Sequence, residues 1–97
     1  MFTWTPKKNQ DNKEKHGFYL SDIVSAFEDI HSIDFYDKAH SSLGEDRYIT
    51  LAKFNDRVIL FLVTTDNPDG STQIISARRA EPPEERLYNE HYQRSNS

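Results

Sequence analysis

The nine residues "RVILFLVTT", Arg57 to Thr65, leave this chain little freedom in how it folds. Successive side chains of a strand point to opposite faces, and here both faces are apolar. Such a strand belongs in the middle of a sheet. The flanking segments supply its partners. "RYITLAKF", Arg47 to Phe54, is rich in strand formers, and the short "FND" turn between the two implies an antiparallel hairpin. "DNPDGS", Asp66 to Ser71, is a strong turn signal ahead of a further strand, "TQIISARR". Upstream, "SIDFYDKAH" alternates Ile33 and Phe35 with Asp34 and Tyr36, which predicts a strand with one face on the core.

Before these strands lie a short strand-like start, Phe2 to Trp4, and two helical signals. From Pro6 to Lys15 the composition favours helix, with Pro6 suited to its first position and Gly17 to the left-handed residue after its end. Leu20, Ile23, Val24 and Phe27 form one apolar stripe, which predicts a second helix from Tyr19 to about Asp29. Pro82 and Pro83 end the last strand and open a final helix with Leu87, Tyr88, His91 and Tyr92 on one face. Gln93 to Ser97 are expected to fray. The predicted class is α+β, a small antiparallel sheet of about four strands flanked by N-terminal helices and a C-terminal helix, in one domain spanning residues 1–97.

Composition narrows the function classes. There is no cysteine, so disulfides, thiolate metal sites and thiol nucleophiles are excluded. No apolar run approaches a membrane span and no signal-peptide core is evident, so a cytoplasmic protein without membrane contact is expected. The net charge of −4 argues against nucleic acid as a partner, but the charge is segregated. Residues 1–16 carry four lysines against Asp11 and Glu14, whereas residues 17–46 carry seven acids and only Lys38. A local basic site is compatible with that pattern, as is an acidic surface for a basic partner.

Three constellations can carry chemistry. On the first helix Asn9, Asn12, Lys13 and His16 share a face, with Lys8, Asn12 and Lys15 on the adjoining stripe. That helix is either a solvated surface element or a functional one. His40, followed by Glu45, Asp46 and Arg47, could supply acid, base and phosphate stabiliser, or be a solvated loop. Arg47, Arg57, Arg78 and Arg79 form a basic set; Arg47 and Arg78 would clamp a phosphodiester if they were neighbours on one face. The four histidines lack the spacings of zinc sites, and neither a metal nor a cofactor is expected.

The ordered motifs Lys8-Asn9 with Asn12, Lys15-His16-Gly17, His40 followed by Glu45 and Arg47, and Ile75-Ser76-Ala77-Arg78 resemble the BrnT family, the toxin half of a bacterial type II toxin–antitoxin pair. "FTW", "FED", "YDKAH" and "EDRYI" extend the resemblance over most of the chain. It implies a RelE-like fold and metal-independent endoribonuclease activity, in which a ribose 2′-OH attacks the adjacent phosphate. Carried over by position, His40, Glu45, Arg47 and Arg78 are the expected catalytic set. Lys15, His16, Lys8 and Arg57 are the expected substrate-binding set. Arg78 would then face the phosphate, leaving Arg79 to pack on a helix or pair with Glu81 or Glu84. The chain departs from the family pattern at Thr5, where an acid is common, and at Val63-Thr64, where tyrosine-threonine is typical. It also departs at Gln73 and "EPPEE", which stand where the pattern is more basic and lower the positive charge near the expected site.

The resemblance also implies partners. These are RNA as substrate, a BrnA-like antitoxin, operator DNA only through that antitoxin, and a complex built around a homodimer. The alternative is a non-catalytic member that keeps the fold and binds the antitoxin.

Overall fold

In the computed structural model, which describes residues 1–96, β4 (Val58–Asp66) is the middle strand of a five-stranded sheet. β3 (Arg47–Phe54) and β5 (Thr72–Arg79) flank it antiparallel, and β2 (Ile33–Tyr36) continues the meander beyond β3. The fifth strand is β1 (Phe2–Thr3), which lies parallel to β5 with Phe2 opposite Thr72. The sheet is therefore mixed and has five strands rather than about four antiparallel ones. The strand-like start at Phe2 is present as expected, but its parallel partner lies some seventy residues away, and such a pairing leaves no local periodicity to read.

Both faces of β4 are covered, as its apolar run requires. On one face Leu60 and Leu62, with Ala52, Ile74 and Ala77, are fully buried beneath Leu20, Ile23 and Ala26. On the other, Leu51 and Ile59 pack with Tyr88 of the C-terminal helix α2 (Pro82–Asn96), and Phe61 packs against that cluster. α2 extends through Gln93 to Asn96, part of the stretch expected to fray, and Ser97 lies outside the described residues.

The segment from Tyr19 to Asp29 is not one α-helix. It forms two 3-10 helices, Leu20–Asp22 and Val24–Glu28, held by i→i+3 bonds such as Ala26 N to Ile23 O at 3.0 Å. The buried residues explain the difference. Leu20, Ile23 and Ala26 recur every three residues, the 3-10 period, and Ser21, Asp22 and Ser25 are weak formers of an α-helix interior. The β3–β4 hairpin turns on Asn55 and Asp56, both with positive φ (53° and 56°); Arg57 N donates to Phe54 O at 3.1 Å, and Phe54 pairs with Val58 across a three-residue loop.

Candidate functional site

The N-terminal helix α1 (Pro6–His16) is bounded as its sequence predicts. Thr5 caps it by accepting from Lys8 N at 3.2 Å, and Gly17 ends it at φ 84°, donating to Lys13 O at 3.0 Å. α1 has no apolar face, yet it is not merely a solvated helix. Its buried residue is Asn12, which accepts from Ala77 N at 3.0 Å and donates to Ala77 O at 2.9 Å. The same amide donates to Phe18 O at 2.8 Å. β1 pairs only with Thr72 and Gln73, so the rest of the β5 edge would otherwise be open; Asn12 closes it.

This docking creates a groove of about 200 Å³ between α1 and β5. Lys8, Asp11, Lys15 and His16 line the helical side, and Ile75 and Ser76 line the strand side. Ile75 is the extra residue of a β-bulge: Ser76 pairs with Val63 and Ile74 with Thr64, leaving Ile75 without a partner. Three of the four expected substrate-binding residues thus share one site with the first half of the "ISAR" motif. Asp11, which the sequence reading did not single out, accepts from Lys7 at 2.8 Å on the outer side of the helix. The lysines therefore outnumber the acid in the groove, and the site is cationic on a protein of net negative charge.

His40, Glu45 and Arg47 come together elsewhere, in the loop that joins β2 to β3. His40 Nδ1 lies 2.9 Å from Asp37 Oδ2, and Arg47 Nε donates to Glu45 at 2.8 Å. Ser41 ties the two pairs, donating to Asp37 O at 2.7 Å and accepting from Arg47 N at 2.9 Å. Asp37 was missed in the sequence; its spacing of three from His40, inside a turn-forming stretch, was the available signal. Arg57 sits at the exposed tip of the β3–β4 hairpin and does not line the groove.

Arg47 and Arg78 do not form a clamp. They share a sheet face, because Arg47 pairs with Thr65 and Arg78 with Phe61 on β4. However, they are four residues apart along β4 and two strands apart across it, roughly 16 Å at ordinary strand spacings. Arg78 instead makes a bidentate pair with Glu84, both bonds 2.9 Å, and its guanidinium carbon lies 3.9 Å from the Phe61 ring centre. The expected partnership is reversed: Arg78, not Arg79, holds Glu84 and approaches Glu81, while Arg79 is exposed. The reason is facing. α2 covers the side of the sheet that carries Phe61, and Arg78 points to that side. The pair to Glu84 raises the Arg78 pKa against the effect of burial.

Behind these sites Asp29 links three elements. Its carboxylate accepts from Lys53 N at 2.8 Å, Tyr88 OH at 2.6 Å and His31 N at 2.9 Å. Burial alone would push its pKa up, but these donors outweigh burial and hold it below the usual carboxylate value. Burial, then the bond to Asp29, pushes the Tyr88 phenol well above its ordinary value. Among the described residues no group of three or more His, Asp or Glu could hold a metal ion, and no helix is long and apolar enough to cross a membrane.

A mixed five-stranded sheet with helical cover on both faces, and a cationic groove where a polar helix closes one edge, define a small α+β domain whose distinctive site is at the sheet rim. The chain belongs to the BrnT family: residues 4–84 match the family described as the ribonuclease toxin, BrnT, of type II toxin–antitoxin systems. The structure is similar to the 1.1 Å crystal structure of the Brucella abortus ribonuclease toxin, BrnT, at a TM-score of 0.68 and 28% identity, covering 84% of this chain and 97% of that one. No curated protein matches the chain.

Proposed function

We propose that this chain is an endoribonuclease toxin that cleaves RNA in the groove between α1 and β5. The observation that carries this reading is the convergence of Lys8, Lys15 and His16 on one side of the groove opposite Ile75 and Ser76. A ribose 2′-oxygen attacks the adjacent phosphorus, the bond from phosphorus to the 5′-oxygen breaks, and a 2′,3′-cyclic phosphate and a 5′-hydroxyl result. One proton leaves the 2′-hydroxyl for a base and one reaches the departing 5′-oxygen from an acid. Lys8 and Lys15 supply positive charge where the phosphorane gathers negative charge, and His16 exchanges a proton with a reacting oxygen. No step requires a metal ion.

Arg47 lies on the same sheet face as Ser76, since Val63 and Thr65 are two residues apart on β4. It is placed to hold a flanking phosphate rather than the scissile one. Arg78 acts here as a brace for α2, because phosphate binding would cost its bidentate bond to Glu84. A BrnA-like antitoxin neutralises the toxin and carries the contact with operator DNA; a homodimeric core, a RelE-like fold kinship and a cytoplasmic site of action belong to the same proposal.

A second reading places the reaction at the β2–β3 loop. It is favoured by the contact of Asp37 with His40 Nδ1, which would orient the imidazole as a general base orienter does. Cleavage of a labelled RNA by the purified chain separates the two. Lys15→Ala and His16→Ala are expected to slow cleavage about 100-fold or more, while His40→Ala and Glu45→Ala cost less than about tenfold. Chelator is expected to change nothing. Wild-type cleavage by both Lys15→Ala and His16→Ala overturns the groove assignment, and silence of the His40 variant alone moves the reaction to the loop.

A further inference from the structure

The two edges of the sheet are treated differently. Beyond β5 the edge is closed by β1 and by Asn12, whereas β2 has no neighbour on its outer side among the described residues. Asp37 N donates to Arg47 O at 2.8 Å, so Asp37 and Arg47 are a hydrogen-bonded pair of the β2–β3 ladder. Bonded and non-bonded pairs alternate in an antiparallel ladder. Ile33 and Phe35 therefore turn their backbone groups to β3, and Asp34 and Tyr36 turn theirs outward. Lys53 confirms the phase, since its N–H points past β3 to the Asp29 carboxylate at 2.8 Å.

Natural edge strands are usually protected by shortness, charge, proline, a bulge or a covering element. β2 is short and carries Asp34, but its sequence, Ile-Asp-Phe-Tyr, has no proline or lysine and its register with β3 is unbroken. Exposed large apolar side chains also gather here. Of the seven among the described residues, Ile30, Phe35, Tyr36 and Leu43 lie within or beside β2. The surrounding charge is predominantly negative. Residues 28–46 hold Glu28, Asp29, Asp34, Asp37, Glu45 and Asp46 against Lys38. At the Ile33 end the edge adjoins a hollow of about 410 Å³ whose lining includes Glu28, Asp29 and Asp56, with the Lys53 ammonium already lying over the Tyr88 and Tyr92 rings.

We propose that β2 is the docking edge for a basic, extended segment of a partner protein, which adds to the sheet as a further strand. The backbone of Asp34 and Tyr36 supplies the pairing, and the acids on both flanks select a cationic sequence. A second copy of the chain is the wrong occupant, because a twofold β2–β2 pair would set these acids against themselves. The edge lies on the opposite rim from the α1–β5 groove, so a bound partner and RNA contact different strands. The proposal rests on the toxin reading only in suggesting that the partner is the antitoxin; the edge chemistry stands without it.

The probe is a blocked eight-residue peptide of alternating arginine and valine, added to the full chain without RNA or antitoxin. Its control is the same peptide N-methylated at every residue, which keeps the charge but leaves neither edge an N–H to pair. The expected result is at least tenfold slower hydrogen exchange at the Asp34 and Tyr36 amides with the first peptide only. Tyr36→Pro removes an outward N–H that β3 does not use, and is expected to weaken binding at least tenfold while leaving RNA cleavage unchanged. Equal binding of the methylated peptide, protection at other amides, or dimerisation of the chain through β2 with no peptide present overturns the proposal. Because none of these readouts needs RNA or antitoxin, a failed toxin reading is recognised separately, by the cleavage assay.

Discussion

Asn12 makes with Ala77 the two hydrogen bonds that a neighbouring strand would make, one to its N–H and one to its C=O. This amide, together with Asn9, which accepts from Ser21 N at 3.1 Å, seats a helix that has no apolar face, and the groove lies beside that seat. Asn12→Ala leaves the N–H and C=O of Ala77 unpaired in a buried setting. The expected loss is about 3 kcal/mol, read as a lower urea midpoint. RNA cleavage is expected to fall further than the unfolded fraction accounts for, because Lys8, Lys15 and His16 lose their position. Asn12→Asp, which cannot donate to Ala77 O, is expected to be no better than alanine.

That seat also shows what the sequence could and could not convey. The Pro6 start and Gly17 end of α1, the central place of β4, the hairpin turn after Phe54 and the Tyr88 side of α2 all rest on short-range patterns, and the structure reproduces each. The polar face of α1 was visible, but a buried asparagine pairing with a backbone sixty-five positions away has no periodic signature. The 3-10 segment was misread because Leu20, Ile23, Val24 and Phe27 satisfy a helical stripe, while the fully buried subset repeats every three residues. Arg78 and Arg79 could be placed on opposite faces by alternation alone. Which face α2 would cover depended on packing, so their roles were assigned the wrong way round with respect to Glu84.

The bond from Tyr88 to Asp29 predicts a stability profile bounded at both ends of the pH scale. The Asp29 pKa is depressed in the folded chain, so its contribution is complete above the ordinary carboxylate value of about 3.9 and fades as pH falls through the folded value. The Tyr88 pKa is raised, so its contribution is complete below the ordinary phenol value of about 10 and is lost as pH climbs towards the folded one. Tyr88→Phe is expected to cost about 2 kcal/mol at neutral pH, since it removes a hydrogen bond to a charged group. Denaturation measured between strong acid and neutrality should show the gap between variant and wild type narrowing as the carboxylate is protonated.

The pairing of Arg78 with Glu84 predicts an asymmetry between adjacent arginines. Arg78→Ala removes a bidentate bond and the contact with Phe61, and is expected to destabilise the chain by about 1–2 kcal/mol. Arg79→Ala, at an exposed position, should stay within about 0.5 kcal/mol of wild type. A double-mutant cycle of Arg78→Ala with Glu84→Ala should recover a coupling energy of about 1 kcal/mol. If Arg78 is a brace and not a phosphate ligand, the loss of RNA cleavage in Arg78→Ala is restored by lowering temperature or adding a stabilising osmolyte. A phosphate ligand would not be replaced in that way.

An acidic chain would hold RNA through local contacts and not through its net charge. Net charge acts at long range and is screened, whereas a phosphate seated in the groove displaces counterions one contact at a time. The affinity for a short single-stranded RNA should therefore fall with salt despite the net charge of −4. Each phosphate contact contributes about −0.7 to the slope of log affinity against log salt. Lys8→Ala and Lys15→Ala are each expected to reduce that slope by about 0.7. Arg86→Ala removes the same charge from an exposed position on α2, outside the groove, and should leave the slope unchanged. Equal effects from all three would mean that overall charge governs binding, and the groove would lose its claim to the phosphate.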